Sequence, residues 1–170
     1  MKFKNRYRIE SARLRSWDYS SPGWYFVPVC TKNKENFFCD VIDGELYLSE
    51  AGSIVSEEWM NTAVLRSNIM LDEFIIMPNH IHGILVITER MPSVKTPRRG
   101  VFTISKWEHG TLGAIINQFK SISTKRIRRA GITAFAWQPR FCDHIIRNEV
   151  ALSRIRTYIQ NNPQKWGGDR

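Results

Sequence analysis

A chain of 170 residues with 42% hydrophobic and 12% aromatic side chains can bury one core, which excludes a wholly disordered chain. Its 25 lysines and arginines against 16 acids give a formal charge of +9, a balance that favours a polyanionic partner through phosphate neutralisation and counterion release. Cys30, Cys39 and Cys142 lack C-x-x-C spacing, which excludes a disulfide framework and a thiolate zinc site; with no signal-peptide core and no apolar run near ~18 residues, the expected setting is cytoplasmic, with no membrane partner.

Residues 1–23 read as a basic N-terminal extension carrying Lys2, Lys4, Arg6, Arg8, Arg13 and Arg15. The aromatic and β-branched run 24–31 predicts a strand, with Pro28 inside it implying an edge position or a bulge. Residues 37–49 alternate around Asp43-Gly44, the signal for a hairpin with a type I′ turn. Ser49 then caps a helix whose apolar positions are Ile54, Val55, Trp59 and Met60. Two strands, 69–77 and 80–89, follow across Pro78-Asn79. Residues 90–110 have little periodicity and read as a functional or mobile loop.

A helix is predicted over 111–131, with Leu112, Ile115, Ile116, Phe119, Ile122 and Ile127 on one side. Its later half carries Lys120, Lys125, Arg126, Arg128 and Arg129. Residues 135–148 predict a last strand interrupted at Pro139, and Asn148 caps a final helix that Pro163 stops. Residues 24–166 thus form one domain, followed by a tail at 167–170. Irregular alternation of hairpins and helices predicts an α+β sandwich, an antiparallel sheet with helices packed mainly on one face.

The chemistry concentrates at MPNHIHGILVI, residues 77–87. Side chains i and i+2 of a strand share a face, so His80 and His82 point together while Ile81 points away. If Ile81 faces the helices, the imidazoles project from the uncovered side, where they can chelate one metal ion or serve as ordinary polar surface. On the last helix Tyr158 and Asn162 are four apart and share a face. Asn162 is a hard amide donor for a divalent ion or a helix cap. Tyr158 is a candidate nucleophile toward a phosphodiester, or a ring packed under the sheet.

Together these residues resemble a known family. MPNHIHGILVI is similar to the HUH motif as carried by REP-associated tyrosine transposases, within the single-tyrosine insertion-sequence transposase superfamily. The resemblance continues at YFVPVCT, LDEFIIMPNHIHG, WQPRFCDHIIRN and YIQNNPQKW, and covers most of residues 24–166, weakly over 90–110. It departs from the family at Pro28, where a strand-compatible residue is usual, and at Cys142, which replaces a frequent aromatic.

The resemblance implies a ferredoxin-like sandwich, a divalent metal (Mg²⁺ or Mn²⁺) on His80, His82 and Asn162, and Tyr158 as the nucleophile. It further implies cleavage and rejoining of single-stranded DNA near a hairpin, such as a REP-like palindrome, through a 5′-phosphotyrosine link, by a monomer or homodimer. Two alternatives stand beside it, a catalytically silent hairpin-DNA-binding regulator and a metal-dependent phosphodiester hydrolase. His144 is a candidate proton carrier or a structural anchor. DNA contact is expected from Lys120, Lys125, Arg126, Arg128 and Arg129, whose adjacent charges repel unless a polyanion is near, and from Arg6, Arg8, Arg13 and Arg15. Trp17, Tyr19, Trp24 and Trp107 are candidates for stacking on unpaired bases, whereas Trp59 and Trp166 are expected in the core.

Overall fold

The structure, a computed structural model, describes residues 2–3, 6–7, 14, 16–89 and 110–166. Arg8, Arg13 and Arg15, the 90–109 segment with Trp107, and the 167–170 tail lie outside the described residues. In the lead-in, β1 (Lys2–Phe3) pairs with β2 (Arg6–Tyr7), so Arg6 belongs to a short antiparallel ribbon.

The main sheet contains β3 (Gly23–Cys30), β6 (Ile69–Met77), β7 (His80–Ile87) and β8 (His144–Ile146) in the order β6-β7-β3-β8, every neighbouring pair antiparallel. Pro28 pairs with His82 of β7, while β8 extends only to Phe26 on the other side. At Pro28 the strand therefore has one neighbour, and a residue without an N–H is tolerated there. A separate hairpin joins β4 (Cys39–Ile42) to β5 (Glu45–Leu48). Its turn has φ of 51° at Asp43 and 80° at Gly44, the two positive values a type I′ turn requires.

Each long helix starts on a side-chain cap. Ser49 accepts from Gly52 N–H at the start of α1 (Glu50–Val64), Thr111 from Ala114 N–H at α2 (Leu112–Arg129), and Asn148 from Ala151 N–H at α3 (Glu149–Gln160). A four-residue turn, α4 (Asn162–Lys165), follows with Pro163 in its first turn.

The two sheet faces bury different helices. Tyr25, Val27 and Val29 of β3, with Ile81, Leu85 and Ile87 of β7, pack in one core with Val55 and Trp59 of α1 and Ile115, Ile116 and Phe119 of α2. On the opposite face Ile84 and Ile146 meet Leu152 and Ile159 of α3, with Phe26 and Ile75 against them. The fold is the expected α+β sandwich, with the two longest helices on one face. The histidine face is not uncovered, however, because the apolar side of α3 needs a partner and takes it. Met60 also departs from expectation: it is 47% exposed, since the inward stripe of α1 runs through Ile54, Val55, Glu58, Trp59 and Thr62.

At Gly83 a Cβ would lie 2.3 Å from Cζ2 of Trp59. The glycine lets a fully buried indole sit against the backbone of β7 directly behind the imidazoles.

Candidate active site

His80 opens β7, and the turn before it is tied down from three sides. Pro78 O accepts from the N–H groups of Phe37 and Phe38 at 2.8 and 3.0 Å, and Asn79 O accepts from Thr31 N–H at 2.9 Å. Asn79 uses both ends of its carboxamide. Its Nδ2 donates to Lys34 O at 3.1 Å, which turns Oδ1 toward His80 Nδ1 at 2.7 Å. A carboxamide oxygen only accepts, so His80 carries its proton on Nδ1 and leaves the Nε2 lone pair free. That Nε2 is buried and has no hydrogen-bond partner among the described residues.

The ring centroids of His80 and His82 are 4.3 Å apart and tilted by 50°. Burial pushes His80 down to about 4, with Lys34 adding to the effect, and pushes His82 down to about 3, with His80 adding. Both are therefore neutral at pH 7, the state in which imidazole offers a lone pair to a metal.

Helix α3 crosses this face and brings the second half of the site. Tyr158 is 45% exposed, its ring 5.4 Å from His82 and edge-on to Phe26 at 6.2 Å. Asn161 caps α3, so Asn162 is the first residue of α4 rather than a frayed end. Its Nδ2 lies 3.0 Å from His82 Nδ1. Arg156 anchors the helix: Nε and Nη2 donate to the two carboxylate oxygens of Asp72 on β6 at 2.8 and 2.7 Å, and the guanidinium lies 5.9 Å from the centre of the Trp24 ring. The hydrogen bonds raise the Arg156 pKa and lower that of Asp72.

His80, His82, Tyr158 and Asn162 thus line one cleft of ≈ 600 Å³. No group of three or more His, Cys, Asp or Glu side chains among the described residues is placed to hold a metal. The set present instead combines two neutral imidazoles, one with an orphaned buried nitrogen and one whose Nδ1 accepts from Asn162 Nδ2, and that carboxamide; such donors fit a divalent ion that also keeps water once the carboxamide releases the His82 lone pair.

Other expected site residues fall elsewhere. His144 lines a separate cavity of ≈ 390 Å³ with Asp143, Arg147 and Asn148, because β8 lies on the far side of β3 from β7. The structure does not bring it into the cleft. The α2 cations belong to a helix on the opposite sheet face, and most have internal partners. Arg126 Nη2 and Nη1 pair with Glu57 and Glu58 of α1 at 2.5 and 2.6 Å, and Arg128 Nε and Nη2 donate to Phe135 O at 3.1 and 3.0 Å. Lys120 is buried, donates to Gln138 O, and has its pKa lowered by that burial. Carboxylates of α1 balance the charge of Arg126, in the middle of the cluster; Lys125, Arg128 and Arg129 are exposed.

Trp59 is in the core as expected, but Trp166 lies beside the cleft, 6.0 Å from the His80 ring. Trp17 donates to Tyr25 Oη at 3.0 Å, and both Trp17 and Tyr19 pack against the core. Sequence reasoning missed Asn79, Arg156 and Asp72. Asn79 stands next to His80, a position from which an amide reaches the neighbouring ring; the Arg156–Asp72 pairing spans 84 residues and leaves no local signal.

No protein-family model matches the chain. A Haemophilus influenzae (strain Rd) protein, described as uncharacterised, is 36% identical over 163 residues, spanning 94% of this chain and 91% of that protein. The solved structure of a REP-associated tyrosine transposase bound to a REP hairpin superposes with a TM-score of 0.54 at 21% identity, over 93% of this chain and 75% of that one. The chain has that fold. A candidate transposase from Deinococcus radiodurans gives a TM-score of 0.47 at 17% identity, over 88% of this chain and 95% of that one.

Proposed function

The chain belongs to one family with the Haemophilus influenzae protein, and we propose that it is a metal-dependent tyrosine transposase that cleaves and rejoins single-stranded DNA beside a hairpin. The observation that carries this reading is the convergence of Tyr158, His80, His82 and Asn162 on one cleft, from a strand and a helix about eighty residues apart. The shared fold with a transposase bound to a REP hairpin supports a hairpin substrate. No described helix is long and apolar enough to cross a membrane.

In this reading His80 and His82, with Asn162, would hold a divalent ion, Mg²⁺ or Mn²⁺, which when bound supplies positive charge to the oxygens of the scissile phosphate. Tyr158 Oη attacks phosphorus as its proton departs. The Oη–P bond forms, the P–O3′ bond breaks, and the departing O3′ takes up a proton. The link to the enzyme is a 5′-phosphotyrosine, which keeps the energy of the broken diester, so rejoining to a 3′-OH is the same step reversed. With a reference pKa of about 10, a free phenol is scarcely ionised at pH 7, and charge stabilisation at the phosphate offsets that disadvantage. Lys125, Arg128 and Arg129 are the exposed α2 cations available for phosphate contact, Arg128 while also donating to Phe135 O.

Incubation with a single-stranded DNA hairpin and Mn²⁺, followed by denaturing electrophoresis, tests this. A covalent protein–DNA adduct is expected from the wild type, none from Tyr158→Phe, and none after EDTA. An adduct at normal yield from Tyr158→Phe would refute the nucleophile. Cleavage without an adduct would make the protein a hydrolase.

A further inference from the structure

The cleft is larger than the reaction requires. Its ≈ 600 Å³ is the size of a small-molecule pocket, and its lining extends beyond the four candidate reacting groups. Beyond His80 the wall comes from the turn after β3, which supplies Lys34, and from α4 with its following residue, which supply Lys165 and Trp166. Both lysines are exposed, and among the described residues no carboxylate lines the cleft. The Trp166 indole is half-buried, its ring tilted by 43° from that of His80.

The turn is held in an unusual conformation. Asn33 and Lys34 both have φ of 56°, a left-handed geometry that non-glycine residues rarely adopt in succession. It persists because Lys34 O accepts from Asn79 Nδ2 at 3.1 Å and Lys34 N–H donates to Thr31 O at 3.3 Å. The carboxamide that fixes the His80 ring therefore also fixes the backbone of Lys34. A basic turn, an imidazole and an indole thus line the cleft together, with the turn and the imidazole held by the same carboxamide.

We propose that this wall is a subsite for an unpaired nucleotide next to the scissile phosphate, with Trp166 as the stacking platform for its base and Lys34 and Lys165 as phosphate contacts. The inference rests on the reading of the cleft as a DNA-cleaving site and adds what that site grips: single-stranded flank rather than paired stem. Every base has a stacking face, so the grip tolerates any sequence.

The test uses the full chain with Tyr158→Phe, in EDTA, so that neither cleavage nor metal contributes. Fluorescence anisotropy compares a DNA hairpin bearing short mixed-sequence single-stranded extensions with the same hairpin blunt-ended. The extended hairpin should bind more tightly than the blunt one. Adding Trp166→Ala should weaken extended-hairpin binding roughly ten-fold and leave the blunt hairpin unchanged, while Trp166→Phe keeps most of the affinity. Lys34→Gln and Lys165→Gln should each reduce the slope of log K against log salt by about 0.7. Equal binding of both hairpins by the parent, or no effect of Trp166→Ala on their difference, overturns the subsite.

The two readings fail separately. An adduct from the Tyr158 enzyme together with an indifferent Trp166→Ala refutes the subsite and leaves the reaction. A flank-specific loss in Trp166→Ala, with no adduct from the Tyr158 enzyme, refutes the reaction and leaves the subsite.

Discussion

Gly83→Ala drives a methyl group into the ring of Trp59. The new Cβ would lie 2.3 Å from Cζ2, 2.8 Å from Cε2 and 3.2 Å from Cη2, whereas carbon atoms pack best at about 3.5–4.0 Å. The indole has no room to retreat: it is fully buried, edge-on to Phe119 at 5.3 Å and beside Phe74 at 6.5 Å. Either the ring tilts into those neighbours or β7 moves outward, and overpacking of this kind costs about 2–3 kcal/mol. For a domain of this size that is a fall in Tm of roughly 4–12 °C. Thermal and denaturant unfolding of Gly83→Ala, Trp59→Leu and the double variant measure it. Trp59→Leu alone leaves a cavity, but in the alanine background it also removes the clash, so the double variant should be more stable than the sum of the single effects by at least about 1 kcal/mol. A Gly83→Ala protein within about 0.5 kcal/mol of wild type, or strictly additive effects, would refute the claim that this glycine exists for the indole.

Two further outcomes follow from the imidazole pair. Asn79→Ala removes the acceptor that fixes the His80 tautomer and should weaken Mn²⁺ binding by about 10- to 100-fold, measured by calorimetric titration; unchanged affinity would contradict the role given to that hydrogen bond. His80 and His82 protonate near 6.5 in the unfolded chain but only near about 4 and about 3 in the fold. Between those values the unfolded state binds more protons, so the stability of the metal-free protein should fall as pH drops from 6.5 toward 3. Replacing both histidines with asparagine should flatten that part of a urea-unfolding profile against pH, and an unchanged slope would contradict the assignment.

Local patterns in the sequence carried most of the fold and pointed to the residues that the structure gathers in the candidate cleft. The period of two put His80 and His82 on one face, and Asp43-Gly44, Ser49 and Asn148 marked a turn and two caps that the structure contains; the spacing of four from Tyr158 to Asn162 instead spans the turn at Asn161 into α4. What could not be read depended on partners distant in the chain. The basic run at the end of α2 looks unbalanced in one dimension because Glu57 and Glu58 sit 69 and 68 residues before Arg126. Trp166 looked like core because nothing near it shows that the chain turns at Asn161 into α4 and delivers the indole to His80. His144 looked close to the site because strand order is a global property: β8 pairs with β3, not with β7.

The positions of the Tyr158 phenol and the imidazoles are fixed relative to each other by contacts on both sides of Tyr158. Two residues before it, Arg156 holds Asp72 on β6 through a two-point contact that restricts rotation as well as distance. Four residues after it, Asn162 reaches His82. Both ties end on the same sheet, since β6 pairs with β7 along Ile69 to Met77, and Trp59 packs β7 from behind at Gly83. A partly exposed ion pair adds little to stability by itself, so the value of the Arg156–Asp72 contact lies in orientation. With helix and strand thus fixed, the remaining freedom belongs to the Tyr158 side chain, which is 45% exposed and packed only against Phe26 and His82 among the described ring contacts. Under the proposed reaction, a phosphate entering the cleft would meet rigid imidazoles and a phenol that turns about its own side-chain bonds, an arrangement suited to the proposed nucleophile, which must swing onto phosphorus and later release it.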